Sequence, residues 1–139
     1  MQCSISYRVP YADTDQMGVV YYANYLVYFE RLRSELLRNA GFPYGEMEKQ
    51  GIALPVIEAT CRYKSPARYD ELIEISGFVE EAKGAKIKMA CKVSRNGELL
   101  AEGHTIHACI NKDGRPIRVP QALVALVSQS NPIQQGFEK

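Results

Sequence analysis

The sequence predicts an α+β domain in two layers, one long helix packed against an antiparallel sheet of about five strands. Three observations predict it. Apolar residues recur at helical spacing over one long stretch only, from about Tyr22 to Ala40. Five other runs have strand character. The later runs are joined by connections of hairpin length, which makes neighbouring strands antiparallel. One amphipathic helix and one sheet then bury each other. A chain of 139 residues accommodates one such domain, placed at residues 1–127, with a polar tail over 128–139.

The elements follow in order. Residues 3 to 9 alternate, with Cys3, Ile5, Tyr7 and Val9 apolar and Ser4, Ser6 and Arg8 polar, the period of a half-buried strand. A loop follows, Pro10 to Gly18, whose proline, two aspartates and glycine shape a turn. In the helix, Leu26, Phe29, Leu32, Leu36, Leu37 and Ala40 share the apolar side, and Glu30, Arg31, Arg33, Glu35 and Arg38 fill the gaps. Gly41 and Pro43 stop it after roughly five turns, about 25 Å. A short connection holds Tyr44, Glu46 and Met47. Four strands then read as a meander: Leu54 to Lys64, Glu71 to Glu81, Ala85 to Ser94 and Leu99 to Ile110. Lys83-Gly84 and Asn96-Gly97 are turns, the second a strong hairpin signal. Asn111 to Gly114 forms another turn, and a short helix starts near Pro120. A sheet of this kind leaves strand edges open, and pairing with a second copy is one way to cover them.

Composition narrows the function. The formal net charge is +1 and the positive charges form no block, so neither nucleic acid nor an anionic membrane is called for. No stretch reaches the roughly 20 apolar residues of a membrane span, and the start lacks the basic and apolar regions of a signal peptide. The cysteines Cys3, Cys61, Cys91 and Cys109 are far apart, as expected of buried thiols in a reduced, cytoplasmic protein. The chain has no G-x-S-x-G, P-loop or G-x-G-x-x-G, and no spacing for a metal site. His104 and His107 are three apart, which on a strand turns them to opposite faces. A carboxylate is therefore the next place to look for chemistry.

Asp13-Thr14-Asp15-Gln16-Met17-Gly18-Val19-Val20-Tyr21-Tyr22-Ala23-Asn24-Tyr25 puts two carboxylates in a tight loop that feeds the buried helix. A helix start offers unpaired N–H groups and positive dipole charge. Such a place can stabilise the negative charge that grows on a carbonyl oxygen during acyl transfer. A carboxylate beside it could attack the carbonyl carbon or activate a water. Met17, Val19, Val20, Tyr21 and Tyr22 would line an acyl pocket. Aspartate before a helix is more commonly a cap or turn former, so the residues alone leave both readings open.

The same segment resembles the signature of the 4-hydroxybenzoyl-CoA thioesterase family. It is especially similar to the bacterial branch of small acyl-CoA thioesterases associated with the Tol–Pal system. The likeness rests on Asp13-Thr14-Asp15, Gly18-Val19-Val20-Tyr21 and Tyr25, then Phe29-Glu30-Arg31, Arg33 and Glu35. It continues in Tyr63 to Leu72 and in Gly114 to Pro120, spanning roughly residues 5 to 122. The resemblance implies a hotdog fold, a curled antiparallel sheet wrapped round a central helix. It implies dimers with a continuous sheet, often paired into dimers of dimers, acting on acyl-CoA without metal or tightly bound cofactor.

By the same resemblance Asp15 is the catalytic carboxylate and Asp13 supports the loop. The backbone N–H of Tyr22 polarises the thioester carbonyl, and Gly18, Val19, Val20, Tyr21, Asn24 and Tyr25 contact substrate. CoA phosphates need cations. Lys83, Lys86, Lys88, Arg115 and Arg118 are of the right type and region, with Arg62, Lys64 and Arg68 available from a neighbouring protomer. Tyr22 stands where many members of the branch carry histidine, which points toward aryl or longer acyl groups. Two other readings share these residues: an acyl-CoA-binding protein without catalysis, and a thioesterase specific for an aromatic acyl-CoA of the dihydroxynaphthoyl type.

Overall fold

The computed structural model describes residues 2–127; the tail expected at 128–139 lies outside them. The strands are β1 (Gln2–Arg8), β2 (Val56–Tyr63), β3 (Leu72–Lys83), β4 (Lys86–Arg95) and β5 (Glu98–Ala108). The helices are α1 (Asn24–Asn39) and α2 (Tyr44–Lys49), followed by a last helical segment at 121–127. All strand pairings are antiparallel, in the order β1-β3-β4-β5-β2. Helix α1 touches β1, β2, β3 and β4, so the sheet curls round it in the expected hotdog manner.

The expected meander holds only for β3, β4 and β5. Their connections are tight: Asn96 and Gly97 have φ of 50° and 83°, the left-handed pair of a type I′ hairpin. Strand β2 does not neighbour β3. It pairs with β5 at the far edge, because residues 64–71 form a crossover fastened to the loop before α1. Val20 N–H donates to Ala67 O at 2.8 Å, and Asp70 N–H to Val9 O at 2.8 Å.

The core lies between α1 and the sheet. Phe29, Leu32, Leu36 and Leu37 meet Ile73, Ile75, Val79, Ile87, Met89, Val93 and Leu100. Gly77 of β3 permits the close approach: a Cβ there would meet the Ala90 carbonyl and stand 2.6 Å from Leu32 Cδ2. Two helix positions depart from the periodicity. Leu26 is 40% exposed, and the buried stripe begins instead at Tyr25 and Tyr28. Arg33 is buried because the unexpected helix α2 packs beside it; its Nε donates to Tyr44 Oη at 3.0 Å. All four cysteines are free thiols.

Candidate active site

The loop before α1 is a small ladder folded on itself. Thr14 pairs with Val20 as an antiparallel bridge. Asp15 N–H donates to Val19 O at 2.9 Å, and Gly18 N–H to Asp15 O at 3.0 Å. Gly18 takes φ +77° to close this turn, a conformation glycine adopts at no steric cost. Asp13 to Asp15 therefore run alongside Val19 to Tyr21, and Tyr21 N–H donates to Asp13 O at 2.9 Å. Val19 also bridges to Arg68, which ties the ladder to the β2–β3 crossover.

The two aspartates have different surroundings. Asp13 Oδ2 accepts from Tyr7 Oη and Tyr28 Oη, each at 2.8 Å. Burial first, and then this carboxylate, raises the pKa of both phenols. Asp13 thus anchors the loop to β1 and α1. Asp15 is exposed, and its Oδ1 accepts from Met17 N–H at 2.8 Å. That single bond orients the carboxylate and leaves Oδ2 without a partner among the described residues.

The helix start is equally open. Asn24 N–H donates to Tyr21 O and Tyr25 N–H to Tyr22 O. The N–H groups of Tyr22 and Ala23 meet no acceptor among the described residues, as the first turn of a helix leaves them. Asn24 Nδ2 donates to Asp13 O at 2.9 Å, so this side chain holds the loop. Tyr25 is buried, its hydroxyl accepting from Ala67 N–H at 3.1 Å.

A cavity of about 270 Å³ opens beside this start, lined by Val20, Tyr22, Tyr25, Tyr63, Lys64, Ser65 and Pro66. Of the apolar residues expected to line a pocket, Val20 and Tyr22 do so; Met17 is 80% exposed and Tyr21 47%. Tyr63 and the 64–66 segment were not legible as cavity walls, since only long-range pairing brings the end of β2 to the helix. The one local signal was alternation, with Cys61 and Tyr63 on the same side of a strand.

Lys86 and Arg118 sit elsewhere. Lys86 pairs with Lys83 and Ala108, and Val119, next to Arg118, bonds to Gly84. This is the end of the sheet opposite the Asp15 loop, which adjoins the start of β3. Within one chain, Lys64 lines the cavity, Arg68 bridges to Val19, and Arg95 donates to Pro66 O at 3.1 Å. Neither histidine lies at the aspartate loop. His107 is buried, donating from Nδ1 to Leu54 O at 3.0 Å and accepting at Nε2 from Thr105 Oγ1 at 2.8 Å. Burial, with Arg33 nearby, pushes it down to about 4. His104, on the other face, meets Glu58 at 2.8 Å. No metal-binding group of side chains occurs among the described residues, and no helix there is long and apolar enough to cross a membrane.

The sequence pattern of the Thioesterase-like superfamily matches residues 9–127. The acyl-CoA thioesterase YbgC of Haemophilus influenzae is 36% identical over 124 residues, 88% of this chain and 91% of the relative. A hypothetical protein of Thermus thermophilus, TT1821, superposes with a TM-score of 0.85 at 38% identity, over 89% of this chain and 98% of the other. A DHNA-CoA thioesterase of Staphylococcus aureus superposes with a TM-score of 0.82 at 31% identity, over 96% and 91% of the two chains. These matches take in the aspartate loop, the helix and strands β2 to β5 together, and the chain belongs to the thioesterase-like superfamily as a thioester hydrolase.

Proposed function

We propose that Asp15 and the backbone N–H of Tyr22 carry out the hydrolysis of an acyl-CoA to the free acid and CoA. The observation that carries this reading is that one folded loop holds both an exposed, once-bonded carboxylate and an unpaired helix-start N–H. The substrate is an acyl-CoA thioester. Its carbonyl oxygen lies against the Tyr22 N–H, where the helix start favours developing negative charge. Asp15 either attacks the carbonyl carbon or takes a proton from the attacking water. The acyl group enters the open cleft beside Tyr22, whose three tyrosine rings suit stacking with an aryl group.

The active form is a dimer joined through β2, with dimers of dimers as the larger assembly. Strand β2 is an open edge whose Val56 and Ile57, at a break in its register with β5, are 47% and 53% exposed. An apolar edge of this kind is a template for pairing with another strand. Antiparallel pairing of β2 with its copy joins the two sheets into one, and it is the arrangement by which Lys86 and Arg118 of one protomer could approach CoA at the other. A cytoplasmic location agrees with the four unpaired thiols.

The test is CoA release from short, long and aromatic acyl-CoAs by the wild type and by Asp15→Asn. Turnover is expected to fall at least 100-fold in the mutant, with the fold retained. A mutant near the full rate removes Asp15 from the mechanism. A folded wild type that binds CoA and cleaves no member of the panel makes the site one for acyl-CoA binding alone.

A further inference from the structure

We propose that Tyr63 is a positioning residue, whose phenol holds the Tyr22–Ala23 peptide and so sets the direction and strength of the Ala23 N–H as a second donor to the thioester carbonyl beside the Tyr22 N–H. The proposal rests on the reading that this helix start receives that carbonyl.

Tyr63 is the last residue of β2, far along the chain from the loop, yet its hydroxyl donates to Tyr22 O at 3.0 Å. The same oxygen accepts from Tyr25 N–H at 3.3 Å. A carbonyl that accepts hydrogen bonds polarises its own amide, because chains of hydrogen bonds strengthen one another. The amide in question ends in the N–H of Ala23, which has no acceptor among the described residues. The bond also restrains the plane of that peptide, and with it the direction of the Ala23 N–H, one residue from the Tyr22 N–H. Preorganised donors are effective because they do not have to turn as the negative charge forms.

The ring is fixed as well as the hydroxyl. It meets Tyr22 edge-on at 6.4 Å between centroids and Tyr25 at 5.2 Å, interplanar angles 85° and 82°. It also forms one wall of the cavity beside the helix start. Burial, followed by the neighbouring Cys61, pushes the phenol up to about 12, so it remains a donor at neutral pH. A tyrosine that merely packed here would be replaceable by phenylalanine without consequence for the reaction.

The experiment compares wild type, Tyr63→Phe and a protein with 3-fluorotyrosine at position 63. Two quantities are read: steady-state CoA release, and the infrared carbonyl band of a bound ketone analogue of an aryl-CoA, with CH2 in place of sulfur. Tyr63→Phe is expected to lower kcat roughly 3- to 10-fold, the size of one hydrogen bond, with KM changed less than twofold. Its carbonyl band moves back toward the frequency in water. Fluorotyrosine keeps the packing and donates more strongly, so the band moves further in the wild-type direction. An unchanged kcat with an unmoved band in Tyr63→Phe overturns the proposal, and an unmoved band with fluorotyrosine does so even if the phenylalanine variant fails to fold. A wild type that neither hydrolyses acyl-CoA nor shifts the ketone band overturns the reading of the helix start itself, and the proposal with it.

Discussion

Replacing Asp13 by alanine tests whether one shared carboxylate holds the aspartate loop to the rest of the fold. Asp13 Oδ2 accepts from two phenols at 2.8 Å. Tyr28 is 1% exposed and so depends on this acceptor; Tyr7 is half-buried and depends on it less. Hydrogen bonds to a charged partner contribute about 1.5–3 kcal/mol, and a buried donor left unpaired costs about 1–3 kcal/mol. With about 2 kcal/mol for Tyr28 and about 1 kcal/mol for Tyr7, Asp13→Ala is expected to cost about 3 kcal/mol. Tyr28→Phe removes the donor together with its need for a partner and costs about 1 kcal/mol. In that background Asp13→Ala should cost only about 1–1.5 kcal/mol, a coupling energy of about 1.5–2 kcal/mol. Urea denaturation of the four proteins at pH 7 measures this cycle. Effects that add to within about 0.5 kcal/mol would show that the carboxylate does not hold Tyr28, and the loop would then owe its position to its own turns.

Gly77→Ala should destabilise the domain by about 2–4 kcal/mol, because the new methyl meets the Ala90 carbonyl, which cannot turn aside as a side chain could, as well as Leu32; an unchanged Tm would contradict that close approach. His107 has a folded pKa of about 4 against an ordinary 6.5, so folding favours the neutral ring and the unfolded chain takes up the proton first. Its contribution is complete above pH 6.5 and declines as pH falls toward 4, by at most about 3 kcal/mol. The stability lost between pH 7 and pH 4.5, measured by urea titration, should therefore be larger for wild type than for His107→Gln, and equal losses would refute it. Ile57→Lys, on the open β2 edge, should yield monomers in sedimentation and lower CoA release per chain; a stable dimer with the full rate would move the interface elsewhere.

How much of this was legible in the sequence depends on the separation of the partners. The hairpins at Gly84 and Asn96-Gly97, the helix stop at Gly41 and the bounds of β1, β4 and β5 follow from residues a few positions apart, and the structure has them within one or two residues. The place of β2 did not follow, because the residues at 64–71 have no turn signature that distinguishes a hairpin from a crossover. Their course is set by Ala67 and Asp70 meeting Val20 and Val9, pairs separated by 47 and 61 positions. Arg33 falls in a gap between the apolar positions of α1, and its burial does not follow from them for the same reason: the helix that covers it, α2, is short and has a mixed composition with no period of its own.

The candidate site divides along the same line. Its loop half, Asp13 to Tyr25, is contiguous, and its carboxylates could be read directly from the sequence. Its other half, Tyr63 to Pro66, reaches the helix start only once β2 has paired with β5 at the edge of the sheet. That edge is also the one left with exposed apolar residues. A second copy paired there would restrain β2 from its open side, and Tyr63 would pass the restraint to the Tyr22 carbonyl. Assembly and chemistry should accordingly weaken together. Diluting the wild type below the dissociation constant of the proposed dimer should lower kcat per chain by at least the loss seen in Tyr63→Phe, while Tyr63→Phe itself should lose less on dilution. Equal losses in the two proteins would separate the β2 edge from the helix-start donors and leave Tyr63 acting within a single chain.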